Sequence, residues 1–294
     1  MVSKMSQIVI DNKKIGDDHP VYVIAEIGIN HNGSLDEAYK LIDLAKETGC
    51  DAVKFQKRTP ELAVPKNQWE EPKETPWGVL SYIEYKRKME FDVSQYKQID
   101  KYCKKNNITW FASCWDELAV EEMASLDIKC FKVASASLTD QTTVNKMLSY
   151  DIPIILSTGM STEEEISRCM EIIGNKIIGL LHTTSSYPCP VEELNLKMIQ
   201  TLKGKYNKHV IGYSGHESGL VTTSVAVAFG AKIIERHITL DRASWGSDHA
   251  ASLAPNGLRS LIGHIRSVEQ AIGDGVKIVY ESEIPIKKKL RRET

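Results

Sequence analysis

Short apolar runs alternate with longer amphipathic stretches along most of the chain. After a first apolar segment at residues 7–10, eight runs rich in β-branched residues lie at 22–28, 51–56, 109–115, 130–135, 153–159, 177–184, 210–216 and 232–239. Each run is too short for a typical helix, and the stretches between the runs have helical periodicity. The pattern predicts eight βα units with parallel strands and right-handed crossovers, preceded by a short β segment.

Eight such units favour a closed (β/α)8 barrel of the α/β class, the TIM barrel, over an open sheet. A doubly wound sheet is the structural alternative. A chain of 294 residues lies within the range in which these barrels form one domain, and neither linker composition nor an internal repeat marks a boundary. The sequence therefore predicts a single domain over residues 1–294.

Local signals place helix starts and loops between the runs. Ser34 and Ser161 are each followed three residues later by Glu, the capping-box spacing, so we expect helices to begin there. Residues 57–92 are proline-rich and too long for a simple connector, which predicts a loop that covers the substrate. Residues 276–294 end in a basic run and are expected to form a solvated tail.

Composition narrows the kinds of partner. Lys and Arg total 37 against 39 Asp and Glu, giving a formal charge of −2, so no broad basic field points to nucleic acid. The six cysteines form no CxxC pair and are expected to be buried thiols in a reducing compartment. No signal peptide or membrane-length apolar run is evident. These features predict a cytoplasmic protein that acts on a small molecule.

Polar residues end every predicted strand, which is where barrel active sites lie. In chain order they are Glu26, Lys54, Gln56, Ser113, Lys132, Ser135, Ser157, Thr158, His182, Thr184, Ser214, His216, Glu235 and His237. For any single member, a helix cap or an ion pair is the simpler explanation. For the whole set a functional role is favoured, because charged groups at the rim of an apolar barrel need a partner, metal or ligand to offset lost hydration.

Lys54 and Lys132 indicate an anion site on strands two and four. Two ammonium groups suit a ligand with concentrated negative charge, such as a small molecule that carries both phosphate and carboxylate. The nearby hydroxyl donors are Ser135, Ser157, Thr158 and Ser186. The alternative is a pair of buried Lys–Glu bridges, which the accompanying hydroxyl groups make less attractive.

His216 and His237 end consecutive strands and are the candidate metal ligands. Two imidazoles without a thiolate leave positions for water or substrate, which suits Mn²⁺, Mg²⁺ or Co²⁺ in a catalytic role. Asp248 either binds water or a substrate hydroxyl at this metal or simply forms a turn. Glu26 either moves a proton or forms an ion pair with Lys54.

Seven sequence motifs resemble, in order, those of the N-acetylneuraminate (sialic acid) synthase family, which includes the legionaminic and pseudaminic acid synthases. They are AEIGINHNG (25–33), VKFQ (53–56), FKVAS (131–135), LSTGM (156–160), HTTSSYP (182–188), GYSGH (212–216) and IERH (234–237). The resemblance implies a homodimeric barrel that condenses phosphoenolpyruvate with N-acetylmannosamine or a related 2-acetamido sugar. The expected products are a nonulosonic acid and phosphate, and Mn²⁺ is the expected metal.

Transferred position by position, the resemblance assigns most of the candidate residues. Phosphoenolpyruvate contacts would be Lys54, Lys132, Ser135 and Ser157, and metal ligands would be His216 and His237. The sugar or the reacting centre would be contacted by Glu26, Gln56, Tyr187 and Asp248. Ser113, Thr184 and Ser186 complete the predicted substrate-binding set.

The chain departs from the family pattern at several places. Many relatives have Thr-Pro at Cys114-Trp115, Glu at Ser137 and Asn at Ser185, and some have Asp at Gly215. Relatives commonly continue into a C-terminal antifreeze-like domain that supplies an Arg to the N-acetyl group. This chain is expected to lack that domain, so the 57–92 segment or a separate protein would replace the contact.

Three other functions stay open on the sequence alone. One is another phosphoenolpyruvate-dependent sugar acid synthase, and a second is a metal-dependent sugar isomerase. The third is a non-catalytic subunit that retains the lysines and histidines by descent.

Overall fold

The computed structural model describes residues 7–292 and contains twelve strands and eleven α-helices in that range. The strands are β1 (Gln7–Ile10), β2 (Lys13–Gly16), β3 (Tyr22–Gly28), β4 (Ala52–Lys57), β5 (Pro72–Thr75), β6 (Gly78–Ser81), β7 (Thr109–Cys114), β8 (Phe131–Val133), β9 (Ile154–Ser157), β10 (Ile177–Thr183), β11 (Val210–Gly215) and β12 (Ile233–His237). The helices are α1 (Leu35–Thr48), α2 (Pro60–Ala63), α3 (Tyr82–Met89), α4 (Val93–Asn106), α5 (Glu117–Ala124), α6 (Gln141–Leu148), α7 (Glu163–Ile173), α8 (Met198–Lys205), α9 (Val221–Ala228), α10 (Pro255–Ala271) and α11 (Ile284–Leu290).

Eight parallel strands close into a barrel in the order β3, β4, β7, β8, β9, β10, β11 and β12, with β12 pairing back to β3. This confirms the predicted (β/α)8 TIM barrel and rules out the doubly wound sheet. Each barrel strand coincides with one predicted apolar run, and its ends differ from the predicted ones by about two residues at most. The predicted first β segment is β1, which forms a hairpin with β2.

The barrel interior is apolar at one end and polar at the other. Ile10 and Ile15 of the β1–β2 hairpin join Ile24, Phe111 and Ile233 in one buried cluster, so the hairpin closes the amino end of the barrel. Side chains on one face of a strand recur every two residues. The next interior position after several of these apolar residues is polar, which concentrates the polar groups at the carboxyl mouth.

One of the two predicted helix starts is wrong by a residue. Ser34 caps α1 and accepts a hydrogen bond from the Glu37 backbone N–H, as expected. Helix α7 is capped by Thr162, whose hydroxyl accepts from the N–H of Glu165 in a reciprocal capping box. The Ser161 hydroxyl instead donates to the Gly159 carbonyl at 3.1 Å. Two adjacent hydroxyl residues, each followed by Glu three positions later, made the sequence signal ambiguous.

Because only Thr162 caps α7, Thr162 and Ser161 should contribute differently to the free energy of unfolding. We expect Thr162→Ala to lower the free energy of unfolding by about 1 kcal/mol, because it removes the α7 cap. The matched Ser161→Ala variant removes no cap and should have a smaller effect. Urea unfolding of both variants beside the wild type makes the comparison, and equal losses would contradict the assignment of the cap.

The segment 57–92 was predicted to be a loop, but most of it forms regular secondary structure, so the prediction of a loop is wrong. The segment contains α2, the β5–β6 hairpin and α3. Its prolines start elements rather than prevent them: Pro60 lies in the first turn of α2, and Pro72 begins β5. Ser81 then starts α3 through a capping box. The segment reaches the barrel mouth, as shown below.

The end of the chain is exposed, in agreement with the expected solvated tail, but part of it is helical. Residues 276–292 all have exposed side chains, and they include the short helix α11. Residues 1–6 and 293–294, the outer limits of the predicted domain and tail, lie outside the described residues. In the part of the chain that is described, none of the helices combines the length and the apolar character needed to traverse a bilayer.

Candidate active site

A cavity of about 310 Å³ opens at the carboxyl ends of the barrel strands. Most of the predicted site residues line it, although they come from distant parts of the sequence. They are Glu26, Lys54, Gln56, Ser113, Lys132, Ser135, Ser157, Tyr187, His216, His237 and Asp248. Side chains at the carboxyl ends of the barrel strands converge on one cavity, as the sequence predicted.

The ammonium group of Lys54 lies at the floor of the cavity within a network of polar partners. Its Nζ atom is 3.0 Å from Glu26 Oε2 and 3.5 Å from Glu235 Oε1. It also donates to Ser113 Oγ at 2.7 Å. Burial lowers the pKa of Lys54, but Glu235 and Glu26 outweigh burial and raise it above the usual value. Lys54 is therefore charged. The ion pair between Lys54 and Glu26, one of the alternatives that the sequence left open, is present.

Lys132 is a second buried ammonium group near Glu235. Its Nζ atom donates to Ser157 Oγ at 2.6 Å and lies 4.0 Å from Glu235 Oε1. Burial lowers the pKa of Lys132 to about 8, with Lys54 adding to the effect and Glu235 opposing it. Lys132 therefore stays mostly protonated at neutral pH and shares one counter-ion with Lys54.

The two carboxyl groups of the floor differ in protonation. Burial raises the pKa of Glu235, but Lys132 and Lys54 outweigh burial and hold it at about 2. Burial raises the pKa of Glu26 to about 7 against the opposing effect of Lys54, and the nearby Glu235 adds to the rise. Near neutral pH the floor thus carries two ammonium groups, one carboxylate and one partly protonated acid. This excess of positive charge suits an anionic ligand.

His216 and His237 lie side by side at the same cavity, with ring centroids 5.6 Å apart. The Nδ1 atom of His216 lies 2.8 Å from the Thr184 carbonyl oxygen. Because a carbonyl only accepts hydrogen bonds, Nδ1 carries the proton and the Nε2 lone pair is available as a ligand. Burial lowers the pKa of both imidazoles to about 4, so both rings are neutral near pH 7.

The two imidazoles fit an open metal site rather than a closed one. His237 Nδ1 is buried without a hydrogen-bond partner and lies 3.9 Å from Asp248 Oδ2. Within residues 7–292, no group of three or more His, Cys, Asp or Glu side chains is arranged to hold a metal ion. Two neutral nitrogen ligands would leave several coordination positions for water or substrate, as in catalytic sites for divalent cations.

Thr184 and Ser186 were predicted to bind substrate at the barrel mouth. The structure corrects their position, because neither residue lines this cavity. The Thr184 hydroxyl donates to the Glu193 carbonyl at 3.1 Å, and both residues line a neighbouring depression. Thr183 and Ser185 line the cavity instead. The reason is the strand period: Leu181 lies in the barrel interior, so the residues two and four positions later also face inward.

Three other polar groups near strand ends have structural roles. Cys114 is fully buried in the core between barrel and helices, where burial raises the pKa of its thiol. His31 stacks on Phe91 with ring centroids 4.0 Å apart. His182 lies 2.7 Å from the Leu194 carbonyl oxygen. None of the three lines the main cavity.

Two charged residues that line the cavity, Arg58 and Lys86, were not among the sequence candidates, and Glu235 was a strand-end candidate without an assigned role. Glu235 had a usable signal, because it lies two residues before His237 on the same strand face. Arg58 had a similar one, since it continues the two-residue spacing of Lys54 and Gln56 past the end of β4. Lys86 lies on α3 and reaches the cavity only through tertiary folding, so the strand pattern contained no signal for it.

Gly215, where some relatives have Asp, has no room for a side chain. A Cβ atom there would lie 2.5 Å from Glu217 Oε2 and 2.7 Å from the Tyr213 ring. Glu217 is fully buried and forms an ion pair of 3.1 Å with Arg236, the residue directly before His237. Glu217 thus supplies a buried carboxylate close to the position at which those relatives have Asp.

The chain is similar to known proteins over most of its length. The profile described as the NeuB family matches residues 41–277. Human N-acetylneuraminate-9-phosphate synthase is 38% identical, and the alignment covers 94% of this chain and 78% of that protein. N,N'-diacetyllegionaminic acid synthase of Campylobacter jejuni subsp. jejuni is 37% identical over 89% of this chain and 80% of that protein.

A solved structure extends the similarity to the fold. The N-acetylneuraminic acid (sialic acid) synthetase of Leptospira borgpetersenii serovar Hardjo-bovis, solved in complex with citrate, matches with a TM-score of 0.86 and 32% identity. The match covers 99% of this chain and 100% of that chain. By its barrel, the cavity at the barrel mouth and these matches, the chain belongs to the NeuB family.

Proposed function

We propose that this chain joins phosphoenolpyruvate to the aldehyde of a 2-acetamido sugar, releasing phosphate and forming a nonulosonic acid, with help from a divalent metal. One observation carries the proposal: two buried ammonium groups and two neutral imidazoles line a single cavity of about 310 Å³. An anion site beside a metal site is what this condensation requires, because one substrate carries both a phosphate and a carboxylate and the other is an aldehyde to be polarised.

In this proposal, phosphoenolpyruvate occupies the floor of the cavity. Lys54 and Lys132 meet its phosphate and carboxylate, and Ser113, Ser135 and Ser157 supply hydroxyl donors. Both lysines already converge on Glu235, at 3.5 and 4.0 Å. The substrate therefore meets ammonium groups whose positions are fixed in advance, which lowers the cost of organising the site.

The reaction begins when carbon 3 of phosphoenolpyruvate attacks the sugar aldehyde and forms the new C–C bond. The π electrons of the aldehyde C=O move to its oxygen, which takes up a proton and becomes a hydroxyl group. Carbon 2 becomes cationic, water adds there, and the tetrahedral intermediate releases phosphate by C–O cleavage. Glu26 is the candidate to take the proton from that water, because its pKa of about 7 lets it accept and return a proton near neutral pH.

His216 and His237 would hold a divalent cation, with Mn²⁺ as the expected ion, and that cation would polarise the aldehyde oxygen. Tyr187 and Asp248 would contact the sugar, since Tyr187 packs edge-on against both imidazole rings, with centroid distances of 5.3 and 5.0 Å. The unpartnered Nδ1 of His237 supports a ligand at this place.

We also propose that the protein is a homodimer in a reducing cytoplasm, as the family resemblance implies. The six cysteines support the compartment, because all are free and buried. The acceptor sugar is less constrained. The name of the human relative includes a 9-phosphate and that of the Campylobacter relative does not, so the names leave open whether the acceptor is phosphorylated.

A product assay tests the proposed function. Purified protein is incubated with phosphoenolpyruvate, Mn²⁺ and a panel of acetamido sugars, and products are identified by mass spectrometry. We expect a nonulosonic acid and phosphate only when both substrates are present, loss of turnover with EDTA and recovery with added Mn²⁺. Sugar interconversion without phosphoenolpyruvate would indicate an isomerase, and no turnover with any sugar would favour a non-catalytic subunit.

A further inference from the structure

Lys86 is an ammonium group that lines the cavity and was not among the sequence candidates. It projects from α3, and its Nζ atom lies 5.1 Å from the Tyr82 ring centroid and 5.3 Å from that of Tyr85. Within residues 7–292 it forms neither a hydrogen bond nor an ion pair. Burial and then Arg58 lower the pKa of Lys86 to about 8, while the carboxyl groups of Glu90 and Asp248 oppose the shift. It stays mostly charged at neutral pH.

Arg58 is the neighbouring cation, and its orientation is fixed. Its guanidinium lies over the Trp115 ring, 4.7 Å from the centroid, and Nη2 donates to Gln56 Oε1. Its Nε atom is 3.1 Å from Glu90 Oε1. Burial raises the pKa of Glu90 to about 7 against the effect of Arg58, so this carboxyl group only partly neutralises the pair near pH 7. Arg58 and Lys86 both line the cavity, and the acidic residue Asp248 lines it with them.

These two cations are separate from the lysines of the floor. Lys54 and Arg58 are four residues apart along β4 and its continuation, which corresponds to roughly 13 Å in an extended chain. Gln56 lies between them, donating to Glu26 Oε1 at 3.3 Å on one side and accepting from Arg58 on the other. The cavity therefore has an anion site at its floor and a second positively charged region at its mouth.

We propose that Lys86 and Arg58 form a phosphate subsite for the acceptor sugar, so that the preferred acceptor is a 2-acetamido sugar phosphorylated at the end distal to its aldehyde. The inference rests on the proposed function, which places phosphoenolpyruvate at the floor. The aldehyde must meet carbon 3 there, so the other end of an extended six-carbon sugar points towards the mouth. Two cations match a phosphate monoester dianion, and the arginine fork and lysine point charge are both suited to it.

The test compares N-acetylmannosamine with its 6-phosphate as acceptors for the purified Mn²⁺-loaded protein. The measured quantity is the ratio of kcat/KM for the phosphorylated sugar to that for the unphosphorylated one. We expect the wild-type ratio to exceed one and Lys86→Gln to lower it about 10- to 100-fold, because a charge-assisted interaction is lost. Lys86→Arg should retain most of the preference.

The matched control is Lys88→Gln on the same helix, since the Lys88 ammonium lies 4.8 Å from the Trp77 ring centroid and does not line the cavity. It should leave the ratio unchanged. A wild-type preference for the unphosphorylated sugar, or equal ratios in wild type and Lys86→Gln, would overturn the phosphate subsite while leaving the condensation intact. Absence of product with either sugar would instead overturn the proposed function and this inference together.

Discussion

Lys132→Ala is expected to lower kcat/KM for phosphoenolpyruvate by about 100- to 1000-fold, the effect of truncating one partner of a buried, hydrogen-bonded charge pair. The substitution removes an ammonium group that is 1% exposed and donates to Ser157. It also leaves Glu235 with one lysine instead of two. The Glu235 carboxylate then repels the incoming anion, so most of the loss should appear as a higher KM for phosphoenolpyruvate.

A nearby surface lysine provides the control for this variant. Lys129 precedes the same strand and pairs with Asp127 at 2.7 Å, away from the cavity. Lys129→Ala should retain wild-type kinetics, because exposed ion pairs contribute little. Initial rates are measured over a range of phosphoenolpyruvate concentrations, and urea unfolding checks that both variants fold. An unchanged KM and kcat for phosphoenolpyruvate in Lys132→Ala would remove this residue from the anion site.

His237→Ala is expected to reduce Mn²⁺-supported product formation at least about 100-fold, since even residues that only orient a metal ligand often contribute 10- to 100-fold. The variant removes one of the two imidazoles and the buried Nδ1 that has no protein partner. The barrel should remain folded, because the interior below His237 is formed by other strands as well. Turnover is measured after chelation and titration with Mn²⁺.

The control for the metal variant is His264→Ala, since His264 is exposed on α10. It should require the same Mn²⁺ concentration as the wild type for half-maximal turnover. If His237→Ala titrated with Mn²⁺ as the wild type does, or if metal-free wild type retained full activity, the assigned metal role would be wrong.

The alternation of apolar and polar residues was sufficient to predict the barrel and much of its site. Parallel strands bring their carboxyl ends to one rim, so Lys54, Lys132, His216 and His237 could be placed together without knowing a single contact. Strand phase was harder to assign. Thr184 and Ser186 lie outside the cavity, because they follow β10 out of phase with its inward-facing residues Leu181 and Thr183.

Other parts of the site depend on tertiary folding that periodicity does not encode. The 57–92 segment was predicted as a loop because of its prolines, yet Pro60 and Pro72 begin a helix and a strand. Lys86 reaches the cavity only because α3 folds over the barrel mouth. Similarly, Glu235 becomes recognisable as the shared counter-ion only when both lysines are seen within 4.0 Å of it.

The central claim is that the anion site and the metal site are adjacent in one cavity, and phosphorus NMR with Mn²⁺ tests it most directly. Paramagnetic Mn²⁺ accelerates the ³¹P relaxation of phosphoenolpyruvate that binds close to it. We predict a strong protein-dependent acceleration that is largely lost in both Lys132→Ala and His237→Ala. Relaxation equal to that of phosphoenolpyruvate and Mn²⁺ without protein, or undiminished in both variants, would contradict a shared site.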